Sequence, residues 1–181
     1  REKVLSLGLD TWFHPSVDVQ RQDNSDLYAF DGLSKFDIIQ PGDLIHCDFG
    51  ISYLTLNTDT QELGYILKPG ETKAPEYLIN ALKEGNRVQD IFTNNFVVGV
   101  SGNEILKKSL EEGRDEGLRP SIYTHPLGTY GHSAGTTIGM WDSQGGVPFT
   151  GDYPLQYNTA YAIELNTTVY IKEWKKDIRI M

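Results

Sequence analysis

Gly42-Asp43-Leu44-Ile45-His46-Cys47-Asp48-Phe49-Gly50 reads as an apolar strand that ends on a carboxylate. A charge at the end of such a strand is costly unless it is paired or holds a metal. Asp59 follows eleven residues later, in Asn57-Thr58-Asp59-Thr60. Eleven is odd, so on one regular strand the two carboxylates would point to opposite faces. They converge only if the chain reverses or bulges between them, and Gly50 is the natural place. The plainer alternative is a strand-end turn Asp followed by a loop Asp capping a turn.

Downstream, two histidines stand seven apart in His125-Pro126-Leu127-Gly128-Thr129-Tyr130-Gly131-His132, whose glycines let backbone approach a site closely. One histidine alone is more often structural than a ligand; two of them after two strand aspartates are harder to dismiss. Glu164, in Ala162-Ile163-Glu164-Leu165-Asn166, lies inside an apolar strand where a lone carboxylate is again costly. Its rival reading is an outward-facing edge residue. Carboxylate oxygens with imidazole nitrogens suit divalent ions such as Mn²⁺, Co²⁺ or Zn²⁺.

Around these residues the pattern is strands, two helices, then strands. Residues 1–40 read as short strand-like runs broken by Arg21-Gln22-Asp23-Asn24-Ser25-Asp26, and Pro41-Gly42-Asp43 is a turn. Leu44 to Gly50, Ile51 to Leu56 and Glu62 to Leu67 read as strands. Thr72 is placed to cap a helix with Pro75 in its first turn, followed by a stripe of Tyr77, Leu78, Ala81, Leu82, Val88, Ile91 and Phe92. A second helix begins at the capping box Ser101/Glu104, stapled by Val100 and Ile105, and stops at Gly117 before Pro120. A strand at Ser121 to Thr124, a glycine-rich stretch to about Gly151 and a β-branched strand at Tyr161 to Lys172 complete an α+β domain with mainly antiparallel pairing.

With 181 residues and 39% hydrophobic content, the chain supports one well-buried core and a single domain over 1–181. A net charge of −9 argues against nucleic-acid binding, which needs a basic face. No run of 18 apolar residues offers a membrane span. The one cysteine, Cys47, rules out an internal disulfide framework and a cysteine-based zinc cluster. It fits the cytosol, though a periplasmic protein need not have disulfides. The sequon Asn166-Thr167-Thr168 is weak evidence of glycosylation. Arg1-Glu2-Lys3-Val4-Leu5 and Asp177-Ile178-Arg179-Ile180-Met181 both read as segments inside a fold, so a fragment of a longer domain is expected.

The order Asp48, Asp59, His125, His132, Glu164 resembles the pita-bread metallopeptidases: methionine aminopeptidase, aminopeptidase P and prolidase. Ile39-Gln40-Pro41-Gly42-Asp43-Leu44 leading to Asp48-Phe49-Gly50 looks most like the Xaa-Pro peptidase branch. The resemblance runs from about Pro41 to the end and implies a pita-bread fold, a curved antiparallel sheet with two long helices on its outer face. It implies two divalent ions held by Asp48, Asp59, His125 and Glu164, with Asp59 bridging them. It further implies His132 as the histidine near the scissile bond and Glu164 as the proton relay for a water bridging both ions. A peptide substrate follows, and a homodimer is one implied assembly. His132-Ser133-Ala134-Gly135 also reads His-x-x-Gly, but its partner position is Gly139, so His125 is preferred as the ligand.

Two departures stand out. The family's fifth ligand, a second bridging glutamate on a later strand, has no match in Glu173, which sits beside Trp174 and Lys175 and reads as a turn residue; it is expected beyond Met181. The family's upstream histidine finds a candidate in His14, but 34 residues separate it from Asp48, which fits if Asp23 to Lys35 is an insertion. His46, at i−2 from Asp48, is a rival read more readily as a supporting residue. The competing functional readings are a non-catalytic peptide- or protein-binding module and a metal-independent hydrolase of the same fold; four metal-competent side chains favour the peptidase.

Overall fold

The computed structural model describes residues 1–22 and 38–181. Every strand pairing in it is antiparallel. A short helix α1 (Glu2–Ser6) leads to β1 (Asp10–Thr11) and β2 (Ser16–Gln20). Glu2–Ser6 was expected to be strand-like; the early break at Arg21 to Asp26 and the suspected insertion fall largely outside the described residues. β3 (Leu44–Phe49) pairs with β2 on one side and with β6 (Thr60–Tyr65) on the other. Between them, β4 (Ile51–Tyr53) and β5 (Leu56–Asn57) form a small hairpin that also holds β1.

That hairpin corrects the single strand expected from Ile51 to Leu56. Its turn uses Leu54 (φ 48°) and Thr55 (φ 66°), a left-handed pair for which glycine or asparagine is the usual choice. Neither residue signals a turn in sequence.

Two long helices follow. α2 (Glu76–Asn94) starts at Pro75, with no side-chain cap, rather than at Thr72. It buries Leu78, Ala81, Gly85, Val88, Ile91 and Phe92, while Leu82 is exposed. α3 (Gly102–Asp115) opens with the full Ser101/Glu104 capping box and ends before Gly117 at φ 80°. Both helices pack on a second sheet of β7 (Pro120–Leu127), β8 (Ala160–Ile171) and β9 (Lys176–Ile180).

The core lies between helices and sheets. Phe92, Ile105, Leu106, Ile122 and Leu165 anchor one cluster, with Val100 packed against it. Leu44, Leu78, Val169, Trp174 and Ile180 form another, which joins β3 to the second sheet through α2. On β8 the odd-numbered residues Leu165, Thr167, Val169 and Ile171 are buried, which leaves the even ones, Ala162 and Glu164 among them, on the face away from the helices. The two sheets meet at Gln20, whose side chain donates to the Arg179 carbonyl (2.7 Å) and accepts from the Arg179 N–H (2.8 Å). Asn57 N–H donates to the Gly128 carbonyl at 2.8 Å, tying the hairpin to the loop after β7. Asn166 is buried within β8, so the sequon offers no accessible acceptor. No helix among the described residues is long and apolar enough to cross a membrane.

Candidate metal centre

Register explains how residues far apart in sequence share one face. Asp48 on β3 lies opposite Gln61 on β6, and Asp59 stands two residues before Gln61. The two aspartates are therefore diagonal neighbours across antiparallel strands, with the reversal supplied by the β4–β5 hairpin. Their odd separation is no obstacle. On the other sheet His125 lies opposite Ala162, and Glu164 is two residues further on. That is the same diagonal construction, and diagonal neighbours sit within reach of longer side chains.

The two pairs face one another. His125 Nε2 is 2.9 Å from Glu164 Oε1 and 3.7 Å from Asp59 Oδ2. The carboxyls of Asp48 and Asp59 act on each other's ionisation, and Asp48 Oδ1 is buried with no hydrogen-bond partner among the described residues. Burial first, and then the charge of Glu164, pushes Asp48 up to about 6 and Asp59 up to about 7. His125 is itself raised: burial lowers it, but the Glu164 carboxylate and the Pro126 carbonyl outweigh burial. Three carboxylates thus act on one another's charge, and together they favour added positive charge, whether proton or cation.

The donor set fits a divalent cation. His125 Nδ1 is 3.1 Å from the Pro126 carbonyl, so an N–H on Nδ1 donates there and presents the Nε2 lone pair to the carboxylates. Oxygen donors with one imidazole match the borderline-hard divalent metals. The ligand atoms of His125, His132 and Glu164 fall within 4.8 Å of one another. His132 is exposed at the rim, its ring perpendicular to that of His125 at 4.3 Å, and burial together with His125 lowers its pKa. A cavity of about 140 Å³, lined in part by Asp59, Gln61, Glu164 and Met181, opens beside the cluster.

Of the sequence candidates, Asp48, Asp59, His125, His132 and Glu164 come together. His14 is exposed, and its Nδ1 lies 2.9 Å from the Pro15 carbonyl. Its distance along the chain from Asp48 is nonetheless spatially short, because Ser16 pairs directly with Asp48. His46, on the same face of β3 as Asp48, is buried with Nε2 3.1 Å from Gln61 Oε1 and Nδ1 3.8 Å from Asp18 Oδ2. Glu173 lies in the β8–β9 turn, away from the sheet face.

Trp12 is a site neighbour that the motif reading passed over. Its Nε1 donates to the Thr58 carbonyl at 2.7 Å, and its ring meets His132 edge-on at 5.6 Å. A Cβ at Gly50 would lie 2.1 Å from Trp12 Nε1 and 2.3 Å from Thr58 O; one at Gly131 would lie 2.2 Å from the indole. Both glycines therefore make room for Trp12, and Gly50 stands at the break between β3 and β4. Tyr123, opposite Glu164 in the register, is also on this face, and burial followed by the charge of Glu164 raises its pKa.

Comparison with solved structures gives the architecture a precedent. The chain superposes on an X-Pro aminopeptidase from Thermotoga maritima with a TM-score of 0.64 at 20% identity, covering 94% of this chain and 43% of that one. It superposes on a prolidase from Pyrococcus horikoshii with a TM-score of 0.61 at 16% identity, covering 99% and 47%.

The fold is the pita-bread fold.

A methionine aminopeptidase from Thermotoga maritima shares it at a TM-score of 0.60 and 17% identity, covering 98% of this chain and 71% of that protein. The chain thus spans under half the length of the first two pita-bread structures. No family model matches the sequence, and no curated protein matches it.

Proposed function

We propose that this domain serves metal-dependent hydrolysis of an N-terminal peptide bond, with an Xaa-Pro bond as substrate, and that Asp48, Asp59, His125 and Glu164 hold two divalent cations. The observation that carries this reading is the approach of His125 Nε2 to both Glu164 (2.9 Å) and Asp59 (3.7 Å), next to the Asp48–Asp59 carboxyl pair. When bound, such cations acidify water and polarise a carbonyl at neutral pH. Asp59, a neighbour of both Asp48 and His125, would serve both cations in this reading. Glu164, whose Oε1 lies 2.9 Å from His125 Nε2, would take the proton of the attacking water and pass it to the departing nitrogen, the general acid–base task of the reaction. His132 at the rim can donate to the oxygen of the scissile carbonyl as charge develops there. A proline leaving residue makes that nitrogen a tertiary amide, for which protonation matters most.

Glu164→Ala is expected to abolish metal-dependent cleavage of an Xaa-Pro dipeptide while circular dichroism and melting stay near those of the parent. Full activity in that variant would remove Glu164 from the mechanism. Stoichiometric metal without turnover on any peptide would instead favour a binding module.

A further inference from the structure

His132 is the site residue with the least to hold it. Asp59, His125 and Glu164 meet one another in polar contacts, and His125 Nδ1 reaches the Pro126 carbonyl as well. Among the described residues no hydrogen bond fixes the His132 ring. Three rings flank it instead: His125 at 4.3 Å and 88°, Trp12 at 5.6 Å and 79°, and Tyr123 at 6.2 Å and 48°. An exposed side chain with no hydrogen bond flips between rotamers within nanoseconds unless packing stops it. Edge-on ring contacts are the packing that aromatic side chains favour.

Of those three rings, Trp12 is the one anchored beside Asp59. Its Nε1 donates to the carbonyl of Thr58, the residue before Asp59, and Phe13 meets it edge-on at 4.5 Å. Its six-membered ring occupies the space of a side chain at position 131. The three atoms nearest to a Cβ there are the indole Cζ3, Cε3 and Cη2, at 2.2, 2.3 and 2.3 Å. Gly131 does not have the left-handed backbone that favours glycine, so the indole by itself accounts for a glycine just before His132. One side chain thus joins the backbone next to Asp59 to both the backbone and the ring at His132. Resting on the peptidase reading above, we infer that Trp12 is a positioning residue, which holds the His132 imidazole toward the scissile carbonyl oxygen, and that Gly131 is the notch that admits it. Trp12 acts through His132 and touches no reacting atom.

The test is a double-mutant cycle on the full chain with Trp12→Leu, His132→Gln and the pair, assayed on an Xaa-Pro dipeptide with Mn²⁺. Trp12→Leu should lower kcat by roughly 100-fold, which is what misplacing a group by about 1 Å costs, and should leave KM little changed. In the His132→Gln background the same substitution should cost almost nothing more, because the residue it positions is gone. Gly131→Ala, which drives a methyl into the indole, should reproduce the loss and add little once Trp12 is replaced by leucine. A kcat near the parent's in Trp12→Leu, or losses that add, would overturn the inference. Placement is read separately by nuclear magnetic resonance of the metal-free chain, with His132→Gln assigning the imidazole signal. An Overhauser contact between the Trp12 and His132 rings is expected in the parent, with the imidazole signal moving in Trp12→Leu. Absence of that contact would overturn the inference even if Trp12→Leu does not fold, and would leave the peptidase reading standing. The contact present in a metal-loaded parent that turns over no peptide would instead remove the peptidase reading, and the catalytic service of Trp12 with it.

Discussion

Asp48 and Asp59 each sit where an ionised carboxylate is disfavoured, and this sets a pH signature on the metal-free protein. Their native pKa values, about 6 and about 7, lie above the ordinary 3.8. Between those values the folded chain holds protons that the unfolded chain has lost, so stability falls as pH rises through the window. His125, also raised, acts in the same direction as pH passes its folded value, while His132, lowered, acts against it. Carboxylates held down by arginine partners, Asp43 and Asp177, contribute stability that is complete above the ordinary carboxylate range, so they do not mask the effect. Metal-free protein should therefore melt at progressively lower temperature from pH 4.5 to 7, Asp59→Asn should flatten the slope, and Mn²⁺ should restore the loss at pH 7. A melting temperature that climbs over this window, in parent and variant alike, would contradict the electrostatic account. Gly50 offers a steric test: Gly50→Ala drives a methyl into the Thr58 carbonyl and Trp12, and should cost about 2–3 kcal/mol in urea unfolding. At this scale the proposed ligand residues were legible because a carboxylate ending or interrupting an apolar strand is conspicuous. Trp12 was not, because its role depends on the space left by Gly50 and Gly131, which only the folded backbone reveals.

Elements differ in how locally they are encoded. The start of α3 is written in adjacent residues: Ser101 Oγ accepts from the Glu104 N–H, and Glu104 reaches back to the Ser101 N–H at 3.2 Å. Ser101→Ala should accordingly cost about 1 kcal/mol in urea unfolding, and a loss near zero would show that the cap is decorative. The same adjacency made the helix readable from sequence to its stop at Gly117. α2 was readable as a buried stripe but not at its start, because Thr72 competes with Pro75 for the first turn and Pro75 takes the boundary. The β4–β5 hairpin escaped notice for the opposite reason. Leu54 and Thr55 are held in left-handed backbone by the pairing of Ser52 with Asn57 and by the tie from Asn57 to Gly128, both non-local. Without that hairpin, the odd spacing of Asp48 and Asp59 looked like an objection to their meeting.

Among the described residues two of the three antiparallel sheets, β2-β3-β6 and β7-β8-β9, meet at their edges, with one diagonal pair of proposed ligands on each. Sequence gave the residues of both pairs but not the junction, because Gln20 and Arg179 are joined by two hydrogen bonds across 159 positions of chain. Gln20→Ala removes both bonds from a buried place while touching no ligand. It should cost about 1 kcal/mol per bond and weaken divalent-cation binding by loosening the approach of one pair to the other. Unchanged cation affinity in a destabilised Gln20→Ala protein would mean that the centre does not depend on this seam.

The most direct test of the central claim is anomalous diffraction at the manganese edge from crystals grown with Mn²⁺. The account predicts anomalous density between the two diagonal pairs, in contact with Asp59, His125 and Glu164. Manganese found only at other carboxylates, with His125 Nε2 still bonded to Glu164 as in the metal-free cluster, would contradict it.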